Sequence, residues 1–166
     1  RCEVVPGVTS PIAAATALGV ELTLPDVSQT VILTRAEGRT PMPAGEKLRD
    51  LARHQATMVL FLSTALVDRV VKELLEGGYP PDTPAALVYR ASWRDQKIIR
   101  APLKDLADRV RREKITAHSI IIVGRGLDPA LRQDTPRSKL YDASFTHSFR
   151  RPARRGSRGA GPTRKA

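Results

Sequence analysis

The sequence predicts an α/β fold built on a mixed sheet, and three observations carry that prediction. Short apolar, β-rich runs at 29–35, 57–62, 85–89 and 118–123 alternate with segments of helical period. Two of them, T-M-V-L-F-L (Thr57–Leu62) and H-S-I-I-I-V (His118–Val123), are apolar almost throughout, the pattern of strands covered on both faces. Gln96–Ala101 follows the strand at Ala85–Tyr89 across the loop Ser92–Asp95 and reads as its hairpin partner, which makes the sheet mixed.

Each element has a local reason. An apolar run at Val4-Val5 breaks at Pro6-Gly7 and reads as a strand feeding a small-residue helix, with Ser10 as N-cap, Pro11 in the first turn and Gly19 just past the end. Pro25-Asp26 marks a turn, after which Gln29–Arg35 (Q-T-V-I-L-T-R) is β-rich. The loop Ala36–Gly45 leads to a helix over Glu46–His54. Ser63 or Thr64 suits the cap of the next helix, which turns Leu66, Val67, Val70, Val71, Leu74 and Leu75 to one side and stops at Gly77-Gly78. The Pro-rich connection Tyr79–Pro84 is stiff. Pro102 opens a helix to about Glu113 with Leu103, Leu106, Ala107 and Val110 inward.

Composition narrows the classes. The 166 residues suit one domain, or one domain with pieces of another. Hydrophobic content of 41% supports a core, and three Phe, three Tyr and one Trp make it an aliphatic one. The single Cys2 excludes an internal disulfide framework and fits a reducing, cytoplasmic setting. No apolar run approaches the ~20 residues that span a bilayer, so no membrane partner is expected. The net charge of +11 is uneven: six Arg and one Lys fall in residues 150–166, leaving 21 basic against 17 acidic residues before them. That tail has little to bury and is expected to be disordered, and nucleic acid is not the expected partner of the globular part. The chain opens in mid-element without an initiator Met, and the expectation is the C-terminal part of a longer protein.

No P-loop, G-x-G-x-x-G or G-x-S-x-G motif occurs, and no Cys or His pair has metal-ligand spacing. His54, His118 and His147 are scattered. His54 reads as a polar residue near a helix end and His118 as a strand-entry residue. The pattern points to a binding cleft rather than acid–base hydrolysis.

V-V-P-G-V-T-S-P-I-A-A-A, T-M-V-L-F-L-S, P-A-A-L-V-Y-R-A-S-W and S-I-I-I-V-G-R-G-L occur in the order expected of the tetrapyrrole methylases, which the chain resembles from about residue 3 to 150. The loops R-A-E-G-R-T-P and R-A-S-W-R-D-Q-K-I-I-R, with the closing S-K-L-Y-D-A-S-F, resemble a branch of that family acting on a precorrin. The resemblance implies S-adenosylmethionine as methyl donor, a tetrapyrrole substrate, the two-domain class III methyltransferase fold, and often a homodimer. It divides the chain into the end of a first domain (1–26), a second, mixed-sheet domain (27–149) and the tail (150–166). The Gly-rich loop and G-D-P motif of a typical member's first domain are absent from the sequence, so the fragment is expected to be inactive alone.

The resemblance also implies site residues. Thr9 and Ser10 match the family's donor-contacting P-G-[IV]-[TS]-[SA] motif; read alone, they are equally an ordinary helix cap. Leu62 matches a position lying against the donor, although core packing explains it as well. Ala91 matches a small residue whose backbone nears the adenosine, and Ser119 a position near the adenine. Arg35, Arg39 and Arg90 suit substrate carboxylates, as Arg forks do; Arg94 and Lys97 are weaker candidates, and solvated loop charge is the alternative for each. No catalytic base is singled out. Methylation at another ring carbon, related enzymes acting on ribosomal RNA ribose or a translation-factor histidine, and a non-enzymatic basic nucleic-acid-binding module remain as alternatives.

Overall fold

The computed structural model describes residues 2–132 together with Ser138, Leu140, Phe145 and Thr146. Arg1–Pro136 form one compact unit. In the second, Arg137–Ala166, the Leu140 amide donates to the Ser138 hydroxyl at 3.3 Å. His147, most of the S-K-L-Y-D motif and the basic tail lie outside the described residues.

The first unit is a five-stranded sheet of β1 (Val31–Arg35), β2 (Thr57–Phe61), β3 (Pro84–Tyr89), β4 (Lys97–Pro102) and β5 (Ser119–Val123), in the order β1-β2-β5-β3-β4. β1 and β2 are parallel, while β5 is antiparallel to β2 and β3, and β4 to β3. The mixed sheet is therefore as expected. The carboxyl ends of β2 and β3 and the amino end of β5 meet at one end of the central strands.

The alternation of side chains across the strands divides the core in two. Met58, Leu60, Leu87 and Ile121 face one side, with α2 (Leu48–Ala52), α3 (Val67–Glu76) and α4 (Leu103–Arg112). Val59, Val88, Ile120 and Ile122 face the other, where Ala14 and Leu18 of α1 (Ser10–Leu18) pack beside Leu127. Covered on both faces, the middle strands need the apolar runs seen in the sequence. The alanines of α1 let it lie close to the sheet. Arg100 of β4 pins its end by donating to the Leu18 carbonyl at 2.8 Å. Gly19 closes it in the left-handed region (φ 63°), where glycine carries no Cβ penalty. Gly77 has another reason: a Cβ there would collide with Ala52 and the Arg49 carbonyl, so α2 and α3 could not approach.

Four local expectations need correction. Residues 2–9 form no strand; Val4, Val5 and Val8 are exposed and have no sheet partner. The N-cap of α1 is Thr9, not Ser10, and its side chain makes no capping bond. α2 is shorter than Glu46–His54, because Pro43–Glu46 form a turn closed by the Glu46 amide on the Pro43 carbonyl. Ser63 does not cap a helix with its side chain: a 3-10 turn, Thr64–Leu66, precedes α3, and the Ser63 hydroxyl serves the loop after β1 instead. None of the described helices is long and apolar enough to cross a membrane.

Candidate functional site

Where β2 and β3 end and β5 begins, a cavity of about 650 Å³ opens between the sheet and the start of α1. Val8, Ser10 and Ala13 form one wall. Phe61, Leu62 and Thr64 follow from β2, and Arg90–Trp93 follow from β3. Thr116–Ile120 bring in the approach to β5. The volume falls in the usual small-ligand range of roughly 300–1,000 Å³, and strand ends at a change of sheet order are where α/β folds hold ligands.

The backbone there is held in an uncommon conformation. Seven non-glycine residues among those described have positive φ, and four of them line this cavity: Leu62 (49°), Arg90 (45°), Ser92 (72°) and His118 (56°). Each such residue costs about 1 kcal/mol or more, which the surrounding structure must over-determine. It does so with hydrogen bonds. The Arg90 amide donates to the His118 carbonyl at 2.9 Å, and the Trp93 amide to the Arg90 carbonyl at 3.0 Å. The Ser92 amide donates to Gln96 Oε1 at 2.9 Å.

Leu62 leaves the strand at its last step and is 87% exposed, so plain core packing is not its role. Beneath the cavity, the buried hydroxyls of Thr64 and Ser119 are 2.7 Å apart. At the α1 wall, Pro11 has no N–H and the Ile12 amide already donates to the Thr9 carbonyl at 3.1 Å. Polar contact at this end therefore falls largely to the hydroxyls.

Ser10, Leu62, Ala91, Ser119 and Arg90 thus converge on one cavity, with Thr9 one residue from its wall. Arg35 and Arg39 are not among its lining residues. Arg35 donates to the carbonyls of Ala36 (3.3 Å), Thr40 (3.2 Å) and Pro41 (3.1 Å), and so holds the loop that presents the exposed Arg39. Arg90 pairs with Asp95 at 2.5 Å. Lys97 pairs with Glu113 at 3.1 Å, and Arg94 is exposed. Val8, Thr64, Trp93 and His118 line the cavity as well, beyond the candidates that the sequence offers. The signal that marks them is their place close to a strand or helix end on this side of the sheet.

The fold and cavity define an α/β domain with a cavity of small-molecule size where its central strands end. Residues 1–107 match the model of the Tetrapyrrole (Corrin/Porphyrin) Methylases, and the chain belongs to that family. Cobalt-precorrin-4 C(11)-methyltransferase of Methanocaldococcus jannaschii is 57% identical over 149 residues, 90% of this chain and 56% of the relative. A solved cobalt precorrin-4 methyltransferase is 54% identical, with a TM-score of 0.75 over 76% of this chain and 53% of that one. Uroporphyrin-III C-methyltransferase of Thermus thermophilus, solved with S-adenosylhomocysteine, is 28% identical, with a TM-score of 0.58 over 75% of this chain and 53% of that one. The chain spans just over half the length of its cobalt-precorrin-4 C(11)-methyltransferase relatives from M. jannaschii and Priestia megaterium.

Proposed function

We propose that this chain serves the S-adenosylmethionine-dependent methylation of carbon 11 of precorrin-4, metal-free or cobalt-bearing, giving precorrin-5 in cytoplasmic cobalamin biosynthesis. The observation that carries the reading is the 57% identity to a cobalt-precorrin-4 C(11)-methyltransferase across 90% of this chain. In this reading residues 1–26 end one methylase domain, 27–149 make most of a second, and the donor lies in the seam. The exposed apolar side chains of Val4, Val5, Val8 and Leu62 support it, since a second domain would cover them. The whole enzyme is read as a homodimer.

The cavity fits the donor in size and in its few polar groups, mostly hydroxyls, with Arg90 the one Lys or Arg among the described lining residues. Bound S-adenosylmethionine would supply an electrophilic methyl group on its sulfonium. The Thr9 and Ser10 hydroxyls take its amino-acid end, Leu62 lies against it, and Ala91 and Ser119 take the adenosine. With Arg35 and Arg90 engaged inside the chain, Arg39 is the arginine offered to substrate carboxylates. The residues contribute alignment and exclusion of water, and alignment alone can reach effective molarities of ~10⁵ M.

The test is reconstitution. This chain, mixed with the segment of the M. jannaschii relative that it does not match, is given cobalt-precorrin-4 and methyl-labelled S-adenosylmethionine. Label should enter the macrocycle at carbon 11. A folded, donor-binding mixture that leaves the macrocycle unlabelled overturns the reading.

A further inference from the structure

We propose that Trp93 is the wall on which the donor's purine stacks, and that Arg90 is the residue that positions it. The inference rests on the donor-site reading above and adds a residue to it. Trp93 is the single tryptophan of the chain, lines the cavity, and is 64% exposed. An indole left this open at a cavity rim marks a surface that a ligand covers. The Arg90 guanidinium lies over it, 5.2 Å from the ring centroid, and also 5.0 Å from that of Tyr89. Asp95 holds the same guanidinium from another side. The turn from Arg90 to Trp93 is closed by its own hydrogen bond and tied to β5 through the His118 carbonyl. The indole is therefore oriented before any ligand arrives, which lowers the ordering cost of binding.

The chemistry of the wall selects a purine over a carboxylate-rich macrocycle. Arg90 is the one Lys or Arg among the described lining residues, and its charge is met by Asp95. The nearby polar groups are the uncharged Thr64–Ser119 hydroxyl pair, suited to a heterocycle edge. A flat, apolar ring and neutral hydrogen-bonding groups are what a purine needs.

Because the tryptophan is unique in the chain, the 166-residue protein reports on itself. Emission is followed on titration with S-adenosylhomocysteine, adenosine and methionine, alongside calorimetry on the parent and on Trp93→Phe, Trp93→Leu, Arg90→Met and Arg90→Lys. S-adenosylhomocysteine and adenosine should quench saturably, while methionine should not. Trp93→Leu should weaken S-adenosylhomocysteine about tenfold and Trp93→Phe less, in line with aromatic stacking on a base. Arg90→Met should lower the anisotropy of Trp93, with Arg90→Lys restoring part of it. Calorimetric binding with unchanged emission and an unaffected Trp93→Leu chain overturns the role of Trp93 and leaves the donor site standing. Quenching by methionine but not adenosine likewise overturns it. No heat from S-adenosylhomocysteine at millimolar concentration, either from the chain alone or from its mixture with the unmatched segment of the M. jannaschii relative, overturns both.

Discussion

The Ser63 hydroxyl is fully buried, donates to the Phe61 carbonyl at 2.5 Å, and accepts from the Ala36 amide at 2.8 Å. Ser63→Ala leaves a buried amide without its acceptor and should cost about 1–3 kcal/mol, read as a lower urea midpoint with unchanged slope. At the cavity wall, Thr9→Val with Ser10→Val should weaken S-adenosylhomocysteine about tenfold by calorimetry with the urea midpoint unmoved; unchanged affinity would remove these hydroxyls from the site. Tyr79 is 3% exposed and donates to the Ala56 carbonyl, and burial holds its phenol well above the usual range. Burial disfavours the phenolate, so the contribution of Tyr79 to stability is complete below about pH 10 and is lost as pH rises toward the raised value. A plot of stability against pH should fall less steeply above pH ~10 in Tyr79→Phe than in the parent. Ser10, Leu62, Ala91 and Ser119 could be named as cavity candidates from sequence because a motif marks them. Trp93 could not, because a turn brings it to the cavity rim.

The loop after β1 shows what an element-level reading can and cannot see. Arg35 clamps three of its carbonyls from within, while the Arg69 side chain of α3 holds it from outside. Arg69 donates to the Glu37 carbonyl at 2.7 Å and to the Glu37 carboxylate at 3.2 Å. The Met42 amide, followed by Arg69, keeps the Glu37 carboxyl below its ordinary pKa. Arg39 therefore projects from a braced loop. Arg39→Ala should raise KM for the tetrapyrrole several-fold in the reconstituted enzyme and leave donor affinity alone; if neither changes, Arg39 is solvated charge. The five strands and the faces of α3 and α4 were legible because continuous apolar runs and 3.6-residue patterns are short-range. The Arg35 clamp was not, since nothing local separates an arginine that binds a ligand from one that binds its own loop.

At the scale of the whole molecule, the mixed sheet follows from the hairpin that the sequence already displayed, but the strand order does not. Placing β5 between β2 and β3 makes one end of the central strands the meeting point of three chain turns. The tail tests a competing idea at this scale. Removing residues 150–166 takes away seven positive charges. S-adenosylhomocysteine affinity should be unchanged by calorimetry, whereas a nucleic-acid module would lose a steeply salt-dependent affinity.

The four left-handed corners at Leu62, Arg90, Ser92 and His118 also bear on attempts to make the protein sturdier. A stabilisation campaign guided by torsional preference would begin by writing glycine or asparagine at these positions. Each replacement would relax the chain while erasing a side chain that lines the cavity. Heat tolerance and the shape of the cavity compete here for the same handful of atoms.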